Sequence, residues 1–378
     1  MKAVFGLVFA AVLVRGFDSD RATELLSHAT QLYRLARYGE AEPLYRQGLE
    51  ALSRGGPQVA RQRATAMLEL GALLRTLGRY AEAEPLLRDS GSALESCGAG
   101  AREVVRALDN LAALDRARGD LAGAESLALR AVGMMAGETD VPEPERQAPR
   151  VILASVYLDQ QRMAEAETAF RAVLEGADGP LAVAAYNGLA IVAISRESFA
   201  EAEGYARQAL YYARLALPPN HPATAAAWNN LAQTLRFQGR YLEAEKDYRE
   251  ALAIFEDALG PSSPEFAKGL SNLAAFYHER GREAGAEDLY MRAAAIFERA
   301  LGKSHTMTLV TRNELAEVLR AERRYTESEK LERTTLAPLL HALGPNDPRV
   351  THAATNYARL LCETRRPADA EQVLNRFR

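Results

Sequence analysis

The sequence predicts an all-α fold, a right-handed α-solenoid of about nine antiparallel helix pairs. Ala, Leu, Arg and Glu are abundant, as they are in helical proteins. A helix–turn–helix corner, Gly-Arg-Tyr-Leu-Glu-Ala-Glu at 239–245, recurs in variant forms with a period close to 42 residues. Such a period is typical of stacked repeats that share one elongated core. The last glutamate of each corner, here called the marker glutamate, stands at Glu42, Glu84, Glu125, Glu167, Glu203, Glu245, Glu287, Glu329 and Glu371.

The first helix of each repeat, helix A, is predicted to begin 23 residues before the marker glutamate. Proline is favoured in a first helical turn because its missing N–H would be unpaired there anyway. Ser263 and Asp347 directly precede two such prolines and are good N-caps. The predicted helix A starts are therefore Pro144, Pro180, Pro222, Pro264 and Pro348, with Thr306 in the same place in repeat eight.

Glycine and small residues define the second helix, helix B, and the turns. A leucine followed by glycine or alanine, as at Leu231-Ala232, lies 14 residues before most marker glutamates. This pairing predicts close packing against the small residue that precedes the marker on helix B. Helix B is predicted to end in a left-handed glycine at Gly260, Gly302 and Gly344, and the tight corners lie at Gly78, Gly119, Gly239 and Gly281.

The chain divides into three segments. Residues 1–16 combine Lys2 with an apolar run, which fits either a secretory signal peptide or an apolar cap on the first repeat. The gap from Glu167 to Glu203 is 36 residues, so helix B of repeat four is predicted to be short. We therefore distinguish a less regular N-terminal block at 17–176 (repeats one to four) from a regular C-terminal block at 177–378 (repeats five to nine). A change of superhelical pitch is expected between them.

Several function classes are disfavoured. The net charge of −4 comes without a basic block, so no nucleic-acid partner is expected. Two cysteines, Cys97 and Cys362, cannot form a disulfide framework. The segment 302–304 resembles the end of a phosphate-binding loop but lacks the required first glycine, and His278-Glu279 lacks the second histidine of a metalloprotease. No catalytic, cofactor or metal site is predicted, and no stable membrane insertion, because the apolar run is too short.

The residues match a known family. Trp228, Leu231, Ala232, Leu235, Ala244 and Tyr248 stand at the signature positions of the tetratricopeptide repeat, which this chain resembles over about residues 20–378. With its longer period, and with Asn-His-Pro at 220–222 and Asn-Asn-Leu-Ala at 229–232, it is similar to the 42-residue repeats of kinesin light chains and of many bacterial proteins. The resemblance implies a solenoid whose A helices line a concave groove.

Asparagine is the informative polar residue of helix A. It is a mediocre helix former, so its repetition in mid-helix requires a reason. Two interpretations stay open: the amides bind the backbone of an extended peptide in the groove, or they bond to the next repeat as a ladder. Asn110 shares the pattern, and the candidate groove residues of this kind are Asn187, Asn229, Asn230, Asn272, Asn313 and Asn356.

A second column of basic residues follows on the same helix face. Cationic side chains beside amides favour a partner segment that carries carboxylates. The column comprises Arg236, His278 and Arg320, and Lys268 and Arg359 can join it.

These observations predict a non-enzymatic scaffold that binds a peptide or protein segment in the concave groove. The alternative is a regulatory or export-associated accessory protein in the periplasm. The location is periplasmic or secreted if residues 1–16 are a signal peptide, and otherwise cytoplasmic. The last helix keeps Val373, Leu374 and Phe377, which predicts self-association through the C-terminal end.

Overall fold

The computed structural model describes residues 19–177 and 179–375. Within these residues there are eighteen α-helices and no strand, arranged as nine antiparallel A–B pairs. A 3₁₀ turn, Pro57–Val59, precedes the third helix. The nine pairs are α1 (Ser19–Arg34) with α2 (Tyr38–Ser53), α3 (Ala60–Thr76) with α4 (Tyr80–Ser96), α5 (Ala101–Arg118) with α6 (Leu121–Ala136), α7 (Glu143–Asp159) with α8 (Met163–Leu174), α9 (Gly179–Ser195) with α10 (Phe199–Ala216), α11 (Pro222–Phe237) with α12 (Tyr241–Leu259), α13 (Pro264–Glu279) with α14 (Glu283–Leu301), α15 (Thr306–Ala321) with α16 (Tyr325–Leu343), and α17 (Pro348–Glu363) with α18 (Pro367–Asn375).

The starts of the A helices follow the prediction. The Ser263 hydroxyl accepts a hydrogen bond from the backbone N–H of Phe266 at 3.2 Å, and the Asp347 carboxylate caps α17 in the same way. His221 and His305 serve as caps in two other repeats, where each Nδ1 accepts a backbone N–H of the first turn. Each cap satisfies a donor that the helix itself leaves unpaired.

Each corner ends helix A with two characteristic hydrogen bonds. At Gly239, the backbone N–H donates to the Arg236 carbonyl at 3.0 Å, and the next N–H donates to the Leu235 carbonyl at 2.9 Å. This motif needs one residue with positive φ, which glycine adopts without strain. The φ is +78° at Gly239, and it is positive at every corner, whether the residue is glycine (Gly78, Gly119, Gly281) or not (Ala36, Gln161, Glu197, Arg323, Arg365).

The predicted left-handed ends of the B helices are wrong in detail. Gly260 has φ 79° and ψ 164°, and Gly302 and Gly344 are alike. This positive-φ, extended conformation is open essentially to glycine alone. The glycine therefore redirects the chain out of helix B instead of closing the helix with a left-handed turn.

Small residues allow helices A and B to approach closely, as predicted. A Cβ added to Gly71 of α3 would lie 2.7 Å from the Leu87 side chain of α4, so no larger residue fits there. Ala83 and Ala244, which precede their marker glutamates, are fully buried. Repeat four has the short helix B that the sequence predicts, since α8 has 12 residues where α12 has 19.

The marker glutamates connect neighbouring repeats. Arg240, at the start of a corner, donates to the preceding marker Glu203 at 2.9 Å and to Glu243 of its own corner at 2.7 Å. Where the corner lacks arginine, another one substitutes: Arg196 reaches Glu167 although Ser198 occupies that corner. The equivalent arginines are Arg79, Arg162, Arg282, Arg324 and Arg366, each paired with the marker glutamate of the repeat before it.

Repeats that are distant in sequence are also in contact. The corner glycine of repeat two, Gly78, lies against Pro264, the first residue of α13 in repeat seven. In the next pair along, Gly119 of repeat three lies against the His305 ring of repeat eight. Burial, and then the carboxyl group of Glu265 in repeat seven, raise the pKa of Tyr80 in repeat two. The corner edge of one superhelical turn therefore rests on the opposite edge of the next turn.

The remaining expectations concern the ends of the chain. Residues 1–16, the segment expected to be a signal peptide or cap, lie outside the described residues, as does Phe377. Val373 and Leu374 are partly buried and pack against the cluster of Ala358, Leu361 and Ala370. Among the described residues, no helix has the length and apolar character needed to cross a membrane.

Candidate functional site

The A helices form the inner surface of the curve. Helix A of one repeat packs on helix A of the next at several points along the chain, for example α7 on α9 and α9 on α11. Successive B helices make at most marginal contact. Because the elements on the concave side of a curved stack lie closest together, the A helices line the inside.

A cavity of about 540 Å³ opens on this inner surface in repeats one to four. Four successive A helices, α1, α3, α5 and α7, contribute to it. Asn110, which shares the asparagine pattern, is the one residue of its polar lining that the sequence pointed to. The lining includes Thr30, Tyr33, Arg34, Glu69, Arg102, Arg106, Asp109, Asn110 and Glu145.

Hydrogen bonds hold much of this lining in place. Glu69 accepts from the hydroxyl groups of Thr30 at 2.7 Å and Tyr45 at 3.0 Å, and it pairs with Arg106 at 3.2 Å. Arg34 differs from these groups, since it is exposed and has no ion pair within the described ranges. The cavity therefore combines a rigid polar wall with a guanidinium group that is available to a ligand.

Asp109 is the most perturbed group of the cavity. Its Oδ1 is buried and has no hydrogen-bond partner among the described residues. Burial raises the pKa of Asp109 to about 7. A carboxyl group in this state is an acceptor, and when protonated a donor, that a bound segment can satisfy.

The predicted asparagines of repeats five to seven lie between A helices instead of in an open groove. Asn230 donates to the backbone carbonyl and the side-chain oxygen of Asn187, both at 3.3 Å. Asn272 donates to the Asn229 side chain at 2.9 Å, and Asn187 donates to the Ala223 carbonyl at 3.1 Å. Asn187, Asn229 and Asn230 are buried. At these positions the amides make the inter-repeat ladder that was one of the two interpretations.

The last two asparagines are also buried but have other surroundings. Asn313 has a side-chain oxygen without a partner in the described part of the chain. Asn356 donates to Glu317 at 3.4 Å and lies 3.0 Å from His352. These two amides face one cluster of ionisable groups, which is treated below.

Carboxylates accompany the basic column. Arg236 pairs with Glu279 of the next repeat, and Arg320 pairs with Glu363 at 2.6 Å. The remaining two pairs are His278 with Glu283 at 2.5 Å and Arg359 with Glu317 at 3.4 Å. Lys268 is exposed and has no such partner among the described residues. The column therefore offers less free positive charge than the residue types alone suggest.

A second, more apolar cavity of about 430 Å³ lies between α10 and α11. Trp228 lines it together with Tyr211, Leu217 and Pro218, and Tyr211 is 57% exposed. Trp228, one of the signature residues of the repeat, is thus only partly buried and borders an opening.

The fold and its inner surface define a class: an all-α helical-repeat solenoid. Models of the tetratricopeptide repeat match residues 181–257, 265–337 and 63–90. The chain is a tetratricopeptide-repeat protein, as the residues predicted. A search of curated proteins gives no significant match.

Solved structures share this fold. A Rap protein complexed with Competence and Sporulation Factor aligns over 93% of this chain and all of its own, with 17% identity and a TM-score of 0.59. A signal transduction ATPase from Pyrococcus horikoshii with a tetratricopeptide-repeat sensor aligns over 89% of this chain and 52% of its own, with 15% identity and a TM-score of 0.53. Kinesin light chain repeats from Podosopora anserina align over 51% of this chain and 91% of their own, with 22% identity and a TM-score of 0.43.

Proposed function

We propose that this chain is a non-enzymatic protein-interaction scaffold that binds a peptide or protein segment along the inner surface of its A helices. One observation carries the proposal: four successive A helices contribute side chains to a single cavity of about 540 Å³. A recess that crosses several repeats fits an extended segment better than a compact small molecule, because it continues along the stack.

The lining favours a polar segment with at least one carboxylate. Arg34 is the cation without a described partner, and a guanidinium group binds carboxylate in a two-point, charge-assisted geometry. The amide of Asn110 and the hydroxyl of Tyr33 are suited to backbone groups. The acidic partner expected from the basic column is thus proposed for the N-terminal cavity instead.

Site-specific photo-crosslinking tests this assignment in cells. A photo-reactive amino acid at Ala72, in the wall of the cavity, is expected to capture a partner. The same amino acid at Leu242, which is 88% exposed on the outer helix α12, is the control. Equal capture from the two positions, or capture from Leu242 alone, contradicts binding on the inner surface.

Charge reversal gives a second, independent test with the captured partner. Arg34→Glu and Arg106→Glu are expected to weaken its binding at least tenfold. Arg130→Glu is the matched control, because Arg130 is an exposed arginine on the outer helix α6 that pairs with Glu95 at 2.7 Å. Equal affinities for all three variants would exclude the cavity as the binding site of the partner.

Export and self-association stay separate proposals. N-terminal sequencing of the mature protein tests whether residues 1–16 are removed. If Met1 is retained in a host that exports proteins and cleaves signal peptides, this argues against a periplasmic role. Light scattering at rising concentration tests association through α18. A constant monomer mass would contradict it.

A further inference from the structure

We propose that Glu314, Glu317 and His352 form a site for a divalent cation of the zinc class between repeats eight and nine. One ligand atom of each residue lies within 4.8 Å of the other two. Two of the residues stand on one face of α15, and the third comes from α17 of the next repeat. The site thus bridges two A helices on the inner surface.

The separations suit a tetrahedral ion. His352 Nε2 lies 3.5 Å from a Glu314 carboxylate oxygen and 3.8 Å from a Glu317 oxygen. Ligand atoms bonded to tetrahedral Zn²⁺ at about 2.0–2.2 Å are separated from one another by roughly 3.4 Å. The Asn356 amide nitrogen also contacts two of these atoms, at 3.0 Å from His352 Nε2 and 3.4 Å from a Glu317 oxygen, and a bound ion would replace these contacts. Imidazole together with carboxylate is a ligand set that zinc accepts.

Glu332 is the independent observation that points to a cation. It is 1% exposed on α16, and its Oε2 has no partner among the described residues. The equivalent residues of the two preceding repeats are Tyr248 and Tyr290, each also 1% exposed, so a carboxyl group replaces an aromatic core residue here. Glu332 and Asn313, which precedes Glu314 in the chain, thus leave two buried oxygen atoms of repeat eight without a described partner.

Among the described residues, the arginines beside the cluster pair with Glu317 and not with Glu314. Arg320 and Arg359 approach Glu317 at 3.6 Å and 3.4 Å, while the ion pair described for Glu314 is the one with His352 at 3.5 Å. Asn313, whose buried side-chain oxygen also lacks a described partner, borders a cavity of about 180 Å³ together with Glu314 and His352. A cation in this space would satisfy oxygen atoms that the protein leaves unpaired, which is the usual use of surrounding groups at a metal site.

Calorimetric titration of the full chain, stripped with a chelator, tests the proposal with Zn²⁺ at pH 7.5. We expect one equivalent to bind, with at least tenfold weaker binding in His352→Gln and in Glu317→Gln. His278→Gln is the matched control, because His278 also stands on an A helix and pairs with a glutamate, Glu283 of α14, but belongs to no such trio among the described residues. The double variant Cys97→Ser with Cys362→Ser is expected to keep the site, which excludes the two exposed thiols.

Co²⁺ provides the geometric readout. Visible absorption of tetrahedral type is expected in the wild-type chain and is expected to be lost in His352→Gln. Glu332→Tyr restores the residue of the neighbouring repeats and should fold at least as well as wild type. It is expected to weaken Zn²⁺ binding while raising the melting temperature in chelator. Absence of saturable Zn²⁺ binding by the wild type, or equal binding by His352→Gln, overturns the proposal.

Discussion

Gly78 packs directly on the ring of Pro264, and this contact joins the corner of repeat two to the first turn of α13 in repeat seven. A solenoid needs contacts only between neighbouring repeats. Here repeats two and three also touch repeats seven and eight, so one superhelical turn rests on the next. We expect a partner of the proposed kind to enter along the superhelix axis or after this contact opens.

Gly78→Ala is predicted to open the contact. The added Cβ would overlap the Pro264 ring, and the positive φ of +74° adds strain. Gly239→Ala is the matched control, because its φ is +78° at the same corner position with nothing within 4 Å of the added atom. We expect a larger radius of gyration by small-angle X-ray scattering for Gly78→Ala only. Equal radii for the two variants would contradict the contact.

Asn230→Ala is predicted to destabilise the stack without affecting the partner. The change leaves the buried side-chain oxygen of Asn187 unpaired, which costs on the order of 1–2 kcal/mol of unfolding free energy. Asn110→Ala is the counterpart, since its amide donates to the local Arg106 carbonyl, accepts only a long hydrogen bond of 3.4 Å from Arg75 of the preceding repeat, and lines the N-terminal cavity. Denaturant unfolding and partner affinity are to be measured for both. Weakened partner binding by Asn230→Ala alone would favour the groove interpretation of the asparagines.

Asp109→Asn is predicted to remove a pH dependence. The folded pKa of about 7 lies above an unfolded value near 3.9, so the folded chain binds the extra proton between these values. Stability therefore falls as pH rises from about 4 to about 7 and is level above that. The variant should be more stable at pH 8, by on the order of 1–3 kcal/mol, and equal at pH 4.

The control for this pH effect is Asp288→Asn. Asp288 is an exposed aspartate that pairs with Arg292 at 3.6 Å. The Asp288→Asn substitution should leave the pH dependence of the unfolding free energy nearly unchanged. An Asp109→Asn profile parallel to that of the wild type would show that this carboxyl is ionised in the folded chain.

Arg240→Ala is predicted to weaken the coupling between repeats five and six. Its guanidinium links Glu203 and Glu243, and both pairs are partly exposed, so the loss should be smaller than in Asn230→Ala. The loss should also fade in molar salt, because exposed charges are screened. A double-mutant cycle with Glu203→Gln measures the coupling. A loss that persists in high salt would contradict an electrostatic origin.

Most of the fold could be predicted because it depends on local signals. The caps at Ser263 and Asp347 and the corner at Gly239 act within a few residues, and each recurs with the period. The orientation of the candidate site residues could not be predicted in this way, because an amide such as Asn230 makes its hydrogen bonds to another repeat. Which way it points depends on how the A helices stack, and no local pattern encodes that. The contact of Gly78 with Pro264 arises only from the accumulated rotation of the repeats between them.

That contact has a consequence for how the chain can change its length. Open solenoids tolerate the gain or loss of whole repeats, since a new unit only needs neighbours. In this chain, an added or deleted unit between repeats three and seven would shift which corner meets Pro264 and His305. The shortened α8 lies inside that interval, so its 12 residues belong to the arc that brings the two edges together. The number of units in this arc is constrained by geometry, as the number of blades is in a closed ring.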